Sequence, residues 1–230
     1  MNCFLDIETV PAQPEESTKM QIAKTIRHPA TIKKEETISD WHNGAGKYAG
    51  VKDKAIDDAY RKGALDGGTG EVISVCFEID GNNSLYYREL IDPEEDLILN
   101  VFNTISRKMN LKSETTLTPY FIGQNIKFDL KFLYRRAMVL GIKIPFPLPF
   151  RGRHRTDFFD NSAEWCEYNE YISQDKLAKC LGIKGKPDDI DGSKVWDFVK
   201  AGNVDRVAEY NRHDVKTVIK LYNILMQGQK

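Results

Sequence analysis

Residues 4–11 read FLDIETVP. Phe4, Leu5 and Ile7 are apolar, and the alternation over residues 2–9 is that of a strand. Asp6 and Glu8 lie two apart within it. Strand side chains repeat with period two, so both carboxylates stand on one side. Adjacent carboxylates repel, and removing them from water is costly. A divalent cation relieves both penalties, and hard oxygen donors suit Mg²⁺ or Mn²⁺. Taken alone, the pair is better explained by a strand end emerging into solvent. The apolar flanks, the place on the first strand and further acids downstream weigh against that.

The rest of the composition narrows the class. A length of 230 residues suits one large domain or a domain with a sizeable insertion. The net charge is −1, so no whole-protein field attracts polyanions, and nucleic-acid binding has to rest on local basic patches or metal ions. No early apolar run reads as a signal peptide and no segment is long enough to span a membrane, so a cytoplasmic protein without membrane contact is expected. Cys3, Cys76, Cys166 and Cys180 are scattered with no CxxC, which disfavours zinc ribbons and disulfide frameworks.

Along the chain, residues 12–64 are polar, with one expected helix near 53–63. They hold too few apolar residues to own a core and read as an insertion within a single domain of 1–230. GEVISVCFEID (70–80) reads as a strand, Gly81-Asn82-Asn83 as a turn and SLYYREL (84–90) as the returning strand. A helix is expected from Asp92-Pro93 to about residue 109, and a strand at 115–123. A second helix follows, with Asn125 at its N-cap and Gly141 at its stop. IPFPLPFRGRHR (144–155) is a proline-rich basic loop. Three short helices are expected after it, capped by Ser173, Ser193 and Asn203. A hairpin followed by alternating strands and helices predicts an α/β fold with a mixed sheet flanked by helices.

Two more acids sit where a site would need them. Asp129, in GQNIKFDLKFL (123–133), falls in the first turns of a helix after a strand, where an acid also complements the helix dipole. Asn125 reads first as a cap, and Phe128 and Phe132 as core. Tyr210 and Asp214, in EYNRHDVKTVIKLY (209–222), are four apart and share a helix face. Asp214 borders the apolar side, an awkward place for an unpaired charge. His213 falls on another face and reads as a surface residue.

In this order, D-x-E on a first strand, N-x-x-x-D on a middle helix and Y-x-x-x-D on a late helix resemble the DEDD superfamily of 3′–5′ exonucleases, in its tyrosine variant. Glu209 occupies the place where the histidine variant would need His. LDIETVP, GEVISVCFEID and the run from DKLAKCLGIKG to YNRHDVKT look like stand-alone exonucleases related to the proofreading domain of family B DNA polymerases. The resemblance implies an RNase H-like fold. It implies that Asp6, Glu8, Asp129 and Asp214 bind two divalent metals, Mg²⁺ or Mn²⁺, and that Tyr210 joins them in catalysis. With an ordinary pKa near 10, Tyr210 is a poor base and is expected to orient the attacking water.

The partner implied is single-stranded DNA or a DNA 3′ end. RNA remains open, since no residue visibly reads a 2′-OH. A silent nucleic-acid-binding module with the same fold also remains open, although all four acids and the tyrosine are present. Arg151, Arg153 and Arg155 in RGRHR are candidate phosphate contacts. Asn125 and Phe128 are weaker substrate candidates, and Asp157 could add an acid or start a helix. The Arg135–Arg136 pair reads as solvated surface. No residue points to a replication or repair protein as partner.

Overall fold

The computed structural model describes residues 1–109, 119–167, 169–185 and 187–227. The chain divides into two compact units, Met1–Thr9 with Val72–Lys230, and Val10–Glu71.

The first unit is built on a five-stranded mixed sheet. Its strands are β1 (Asn2–Pro11), β2 (Gly70–Ile79), β3 (Asn82–Tyr87), β4 (Tyr120–Gly123) and β5 (Phe158–Asp160), in the order β3-β2-β1-β4-β5. β2 and β3 are antiparallel, whereas β1–β4 and β4–β5 are parallel. The expected α/β class with a mixed sheet is therefore present. The hairpin is tighter than the sequence implies. Asp80 and Gly81 both take positive φ, Ile79 pairs with Asn82, and Asn82 and Asn83 are already strand. Two left-handed central residues make the two-residue turn whose twist matches its strands.

Alternation along β1 divides the sheet's two faces. Cys3, Leu5 and Ile7 join a core with helix α4 (Glu94–Lys108) and helix α5 (Ile126–Val139), through residues such as Val101, Phe102, Leu130 and Leu133. On the opposite face Phe4 meets Tyr222 of helix α9 (Val204–Gln227) edge-on, at 5.4 Å between ring centres. Ile122 and Phe159 pack there with Val218. Asp6 and Glu8 fall on this second face.

Several local expectations change. A short strand and helix α6 (Asn161–Trp165) occupy 158–165, a stretch in which the sequence pattern marks no element. Asp160 caps that helix, accepting from the Ser162 and Ala163 N–H groups. Helix α7 (Gln174–Cys180) is capped by Ser173 as expected. Helix α8 (Val195–Lys200) starts two residues after Ser193, whose hydroxyl instead donates to Asp191. The last helix runs for 24 residues, one residue past the stretch VDRVAEYNRHDVKTVIKLYNILM (204–226) expected for it. Asn125 stands at the N-cap of α5, but in a left-handed conformation and without a side-chain cap bond. The strand expected at 115–123 is seen from Tyr120, and 115–118 lie outside the described residues.

Arg136 is not solvated. It is buried and bidentate to Glu94, with Nε 2.9 Å from Oε1 and a terminal nitrogen 2.5 Å from Oε2. The same carboxylate accepts the Val72 N–H at 2.7 Å, while Arg88 donates to the Val72 carbonyl at 3.0 Å. α4, α5 and the start of β2 thus converge on one charge-assisted cluster. Glu94 precedes Arg136 by 42 positions, so local pattern could not reveal the pair.

The second unit holds helices α1 (Glu15–Thr25), α2 (Glu35–Asn43) and α3 (Val51–Lys62). Only the last was expected. Trp41 and Tyr60 are its large buried side chains. Polar contacts surround them: Gln13 donates to the Tyr60 hydroxyl at 2.9 Å, and Lys19 joins Asp57 and Glu15. Half-exposed ion pairs of this kind each contribute little.

The turn from β4 into α5 depends on Gly123. A Cβ there would sit 2.7 Å from Ile126 Cδ1 and 3.0 Å from the Leu5 carbonyl oxygen. Ile126 is fully buried and Leu5 contributes backbone, so neither can yield cheaply. Gly123→Ala is expected to lower stability by about 1–3 kcal/mol, read as a shift of the denaturant midpoint. An unchanged midpoint would show that this junction relaxes freely.

Candidate active site

β1 positions two carboxylates and α9 the third. Asp6, Glu8 and Asp214 each offer an oxygen, and the three atoms lie within 4.8 Å of one another. Glu8 and Asp214 are buried and Asp6 is half-buried. They line a cleft of about 450 Å³, together with Tyr210, Gln124, Asn125 and Phe128. Tyr171, Gln174, Asp175 and Asp191 lie along the same cleft.

Asp129 stands one step back and is not among the cleft-lining residues. Its Oδ1 accepts the Ile7 backbone N–H at 3.0 Å. Burial pushes its carboxyl well above the usual range, the Asp6 charge adds to this, and the Ile7 bond opposes it. Tyr210 is buried at 2% exposure. Burial raises its phenol far above the ordinary value, and the charges of Asp214, Glu8 and Asp6 raise it further. Its hydroxyl keeps its proton and bonds to Asp214.

A residue that the sequence did not single out holds the arrangement together. Asn211 is fully buried on the inner face of α9. Its amide nitrogen donates to Asp6 Oδ2 at 2.6 Å, and its oxygen accepts the Ser74 hydroxyl at 3.0 Å. One signal was present: Val207, Asn211, Asp214 and Val218 recur at helical spacing on the apolar side, and an amide there has to be satisfied. Gln174, also missed, donates to the Asp214 carbonyl at 2.8 Å. His213 is half-buried rather than on the open surface, with Nδ1 3.7 Å from Asp214 Oδ1.

The arginine loop divides. Arg151 lines a second groove, beside Asn125 and Phe128. Arg155 is ion-paired with Glu164, which His154 also contacts at 2.9 Å. The Arg153 N–H donates to Asp157 at 2.7 Å, and neither residue lines the acidic cleft.

The donor set is entirely carboxylate, which fits Mg²⁺ or Mn²⁺ rather than the nitrogen- and sulfur-rich sets of zinc. Among the described residues no helix is long and apolar enough to cross a membrane.

A family model described as "Predicted 3'-5' exonuclease related to the exonuclease domain of PolB" matches residues 70–229. Among solved structures, the chain is similar to the family B DNA polymerase from the hyperthermophilic archaeon Pyrobaculum calidifontis, with a TM-score of 0.56 at 15% identity. The match covers 98% of this chain but 24% of the polymerase. At that identity the likeness shows the fold, and the mixed sheet with its flanking helices is RNase H-like. A comparison with curated proteins finds no match.

Three carboxylates held this close store repulsion that a cation would relieve. Glu8→Gln is expected to melt higher than wild type in EDTA, by about 0.5–2 kcal/mol, and to lose most of the stabilisation that Mn²⁺ gives wild type by mass action. Equal metal-linked shifts in thermal melts of both proteins would remove Glu8 from the ligand set.

Proposed function

Because the chain belongs to the family of predicted 3′–5′ exonucleases related to the exonuclease domain of PolB, we propose that it removes nucleotides from DNA 3′ ends, preferably single-stranded, by metal-dependent hydrolysis. The observation that carries this reading is the convergence of Asp6, Glu8 and Asp214 in a cleft whose wall includes aromatic rings.

Asp6, Glu8 and Asp214, with Asp129 behind them, are the residues that would hold two divalent ions. Such a pair, when bound, supplies a nucleophile at neutral pH and offsets charge on the attacking and departing oxygens. The protein's own part is to hold negative charge in place before substrate arrives. A strand gives Asp6 and Glu8 a rigid base, and the Asn211 amide fixes the Asp6 rotamer. Ile7 does the same for Asp129 through its backbone.

Tyr210 acts as a neutral phenol and not as a base. A phenol raised by burial and three carboxylates does not accept a proton from water at neutral pH. Its single proton is donated in a hydrogen bond to Asp214, so the phenol oxygen is left to accept from the attacking water and orient it. Phe128 and the exposed ring of Tyr171 offer stacking surfaces at the cleft. Stacking on side chains needs a base freed from its partner, which supports a preference for single strands.

The test is a time course on 5′-labelled single-stranded DNA with Mg²⁺, Mn²⁺ or EDTA. Wild type is expected to give a ladder shortening from the 3′ end, abolished by EDTA. Tyr210→Phe is expected to lose about 10²-fold, the scale of removing one positioned hydrogen-bonding group, and Asp6→Ala clearly more. Degradation from the 5′ end, or activity that survives EDTA, would overturn the proposal. Cleavage of RNA with DNA left intact would transfer it to RNA.

A further inference from the structure

Beside the acidic cleft lies a second groove of about 560 Å³, and Asn125 and Phe128 border both. Four of its eight lining residues are cationic: Lys127, Lys131 and Arg135 on α5, and Arg151 on the loop facing them. None of the eight is acidic. The helix cations recur at i, i+4 and i+8, so they form one row spaced by about 6 Å along the axis. Like charges at this spacing repel, and the protein as a whole is close to neutral. A concentrated cationic row on such a chain calls for a polyanion.

Aromatic rings alternate with the charges. Phe128, Tyr134 and Phe150 share the groove, and the Tyr134 and Phe150 rings lie 5.0 Å apart. Arg151 sits over the groove ring of Phe150 at 5.2 Å, and Lys127 lies 5.2 Å from the buried ring of Phe158, which does not itself line the groove. Cations that track a backbone, with rings between them that accept any base face, are what a single strand needs without sequence preference.

We infer that this groove carries the single-stranded nucleic acid on the 5′ side of the bond being cut, handing its 3′ end to the acidic cleft across Asn125 and Phe128. The inference deepens the exonuclease reading and rests on it for the direction of the strand. The groove would make the enzyme act on oligonucleotides several units long more efficiently than on the shortest substrates.

The experiment measures binding and hydrolysis separately. A fluorescent 12-nucleotide single-stranded DNA is titrated in Ca²⁺ over a salt series, and an RNA strand of the same length is run in parallel. Proteins are wild type, Lys127→Gln/Lys131→Gln, and Lys216→Gln/Lys220→Gln, which removes the same charge from exposed positions of α9 that line neither cavity. The groove variant is expected to bind at least tenfold more weakly. Its slope of log affinity against log salt should fall by about 1.4, or about 0.7 for each phosphate that is no longer neutralised. The α9 variant should match wild type. Equal weakening in both variants, no weakening in the groove variant, or no binding by wild type would each overturn the inference. Hydrolysis of the same strand in Mg²⁺ tests the exonuclease reading independently: weaker binding by the groove variant with no cleavage by wild type keeps the strand path and removes the reaction. Stronger binding of RNA than of DNA keeps the path and reassigns its occupant.

Discussion

Like-charge repulsion at the centre of the sheet is the constraint on which this fold turns. Asp6, Glu8 and Asp214 sit within 4.8 Å of one another, and Asp129 is buried close enough to feel Asp6. Nothing in a protein chain adopts that arrangement for its own stability. Three of the four acids are tied to a neighbouring group. Asp6 accepts from the Asn211 amide, Asp129 from the backbone of β1, and Asp214 bonds with the phenol one turn before it on α9. The tying groups come from α9 and from β1, and they hold these three carboxylates in place against the repulsion.

The layer beneath is made stiff by different means. On the face of the sheet opposite the acids, apolar residues of β1 pack against α4 and α5. The Glu94–Arg136 pair locks those two helices to each other and to Val72. A buried ion pair is weak evidence for stability as such, but removing one partner leaves an unpaired charge and costs several kcal/mol. Its geometric effect is the relevant one here. α5 presents Asp129 toward β1 and its cationic row toward the groove, and Arg136 fixes the rotation that makes both true.

What could be read from the sequence was whatever rests on local spacing. Asp6 and Glu8 stand together because strand period and apolar flanks are visible within a few residues. Tyr210 and Asp214 share a face because helical period is equally local. The mixed sheet followed from a hairpin and alternating elements. The illegible parts depend on partners remote in the chain. Asn211 gains its meaning from Ser74 and Asp6, and Arg136 from Glu94. Arg155 resembles a phosphate ligand until Glu164 is seen to hold it. The row of Lys127, Lys131 and Arg135 was present as a spacing, yet only the loop around Phe150 and Arg151 turns it into a groove.

The bond between Asp6 and Asn211 joins residues 205 positions apart. Closing so long a loop carries an entropic cost that the packing of the intervening elements has to offset. During synthesis, β1 leaves the ribosome with two acids that have neither Asp214 nor Asn211 beside them. Docking of α9 is what brings Asp214 and Asn211 to the acids of β1. Under the function proposed above, the cleft would therefore exist only in a chain whose α9 has packed against β1.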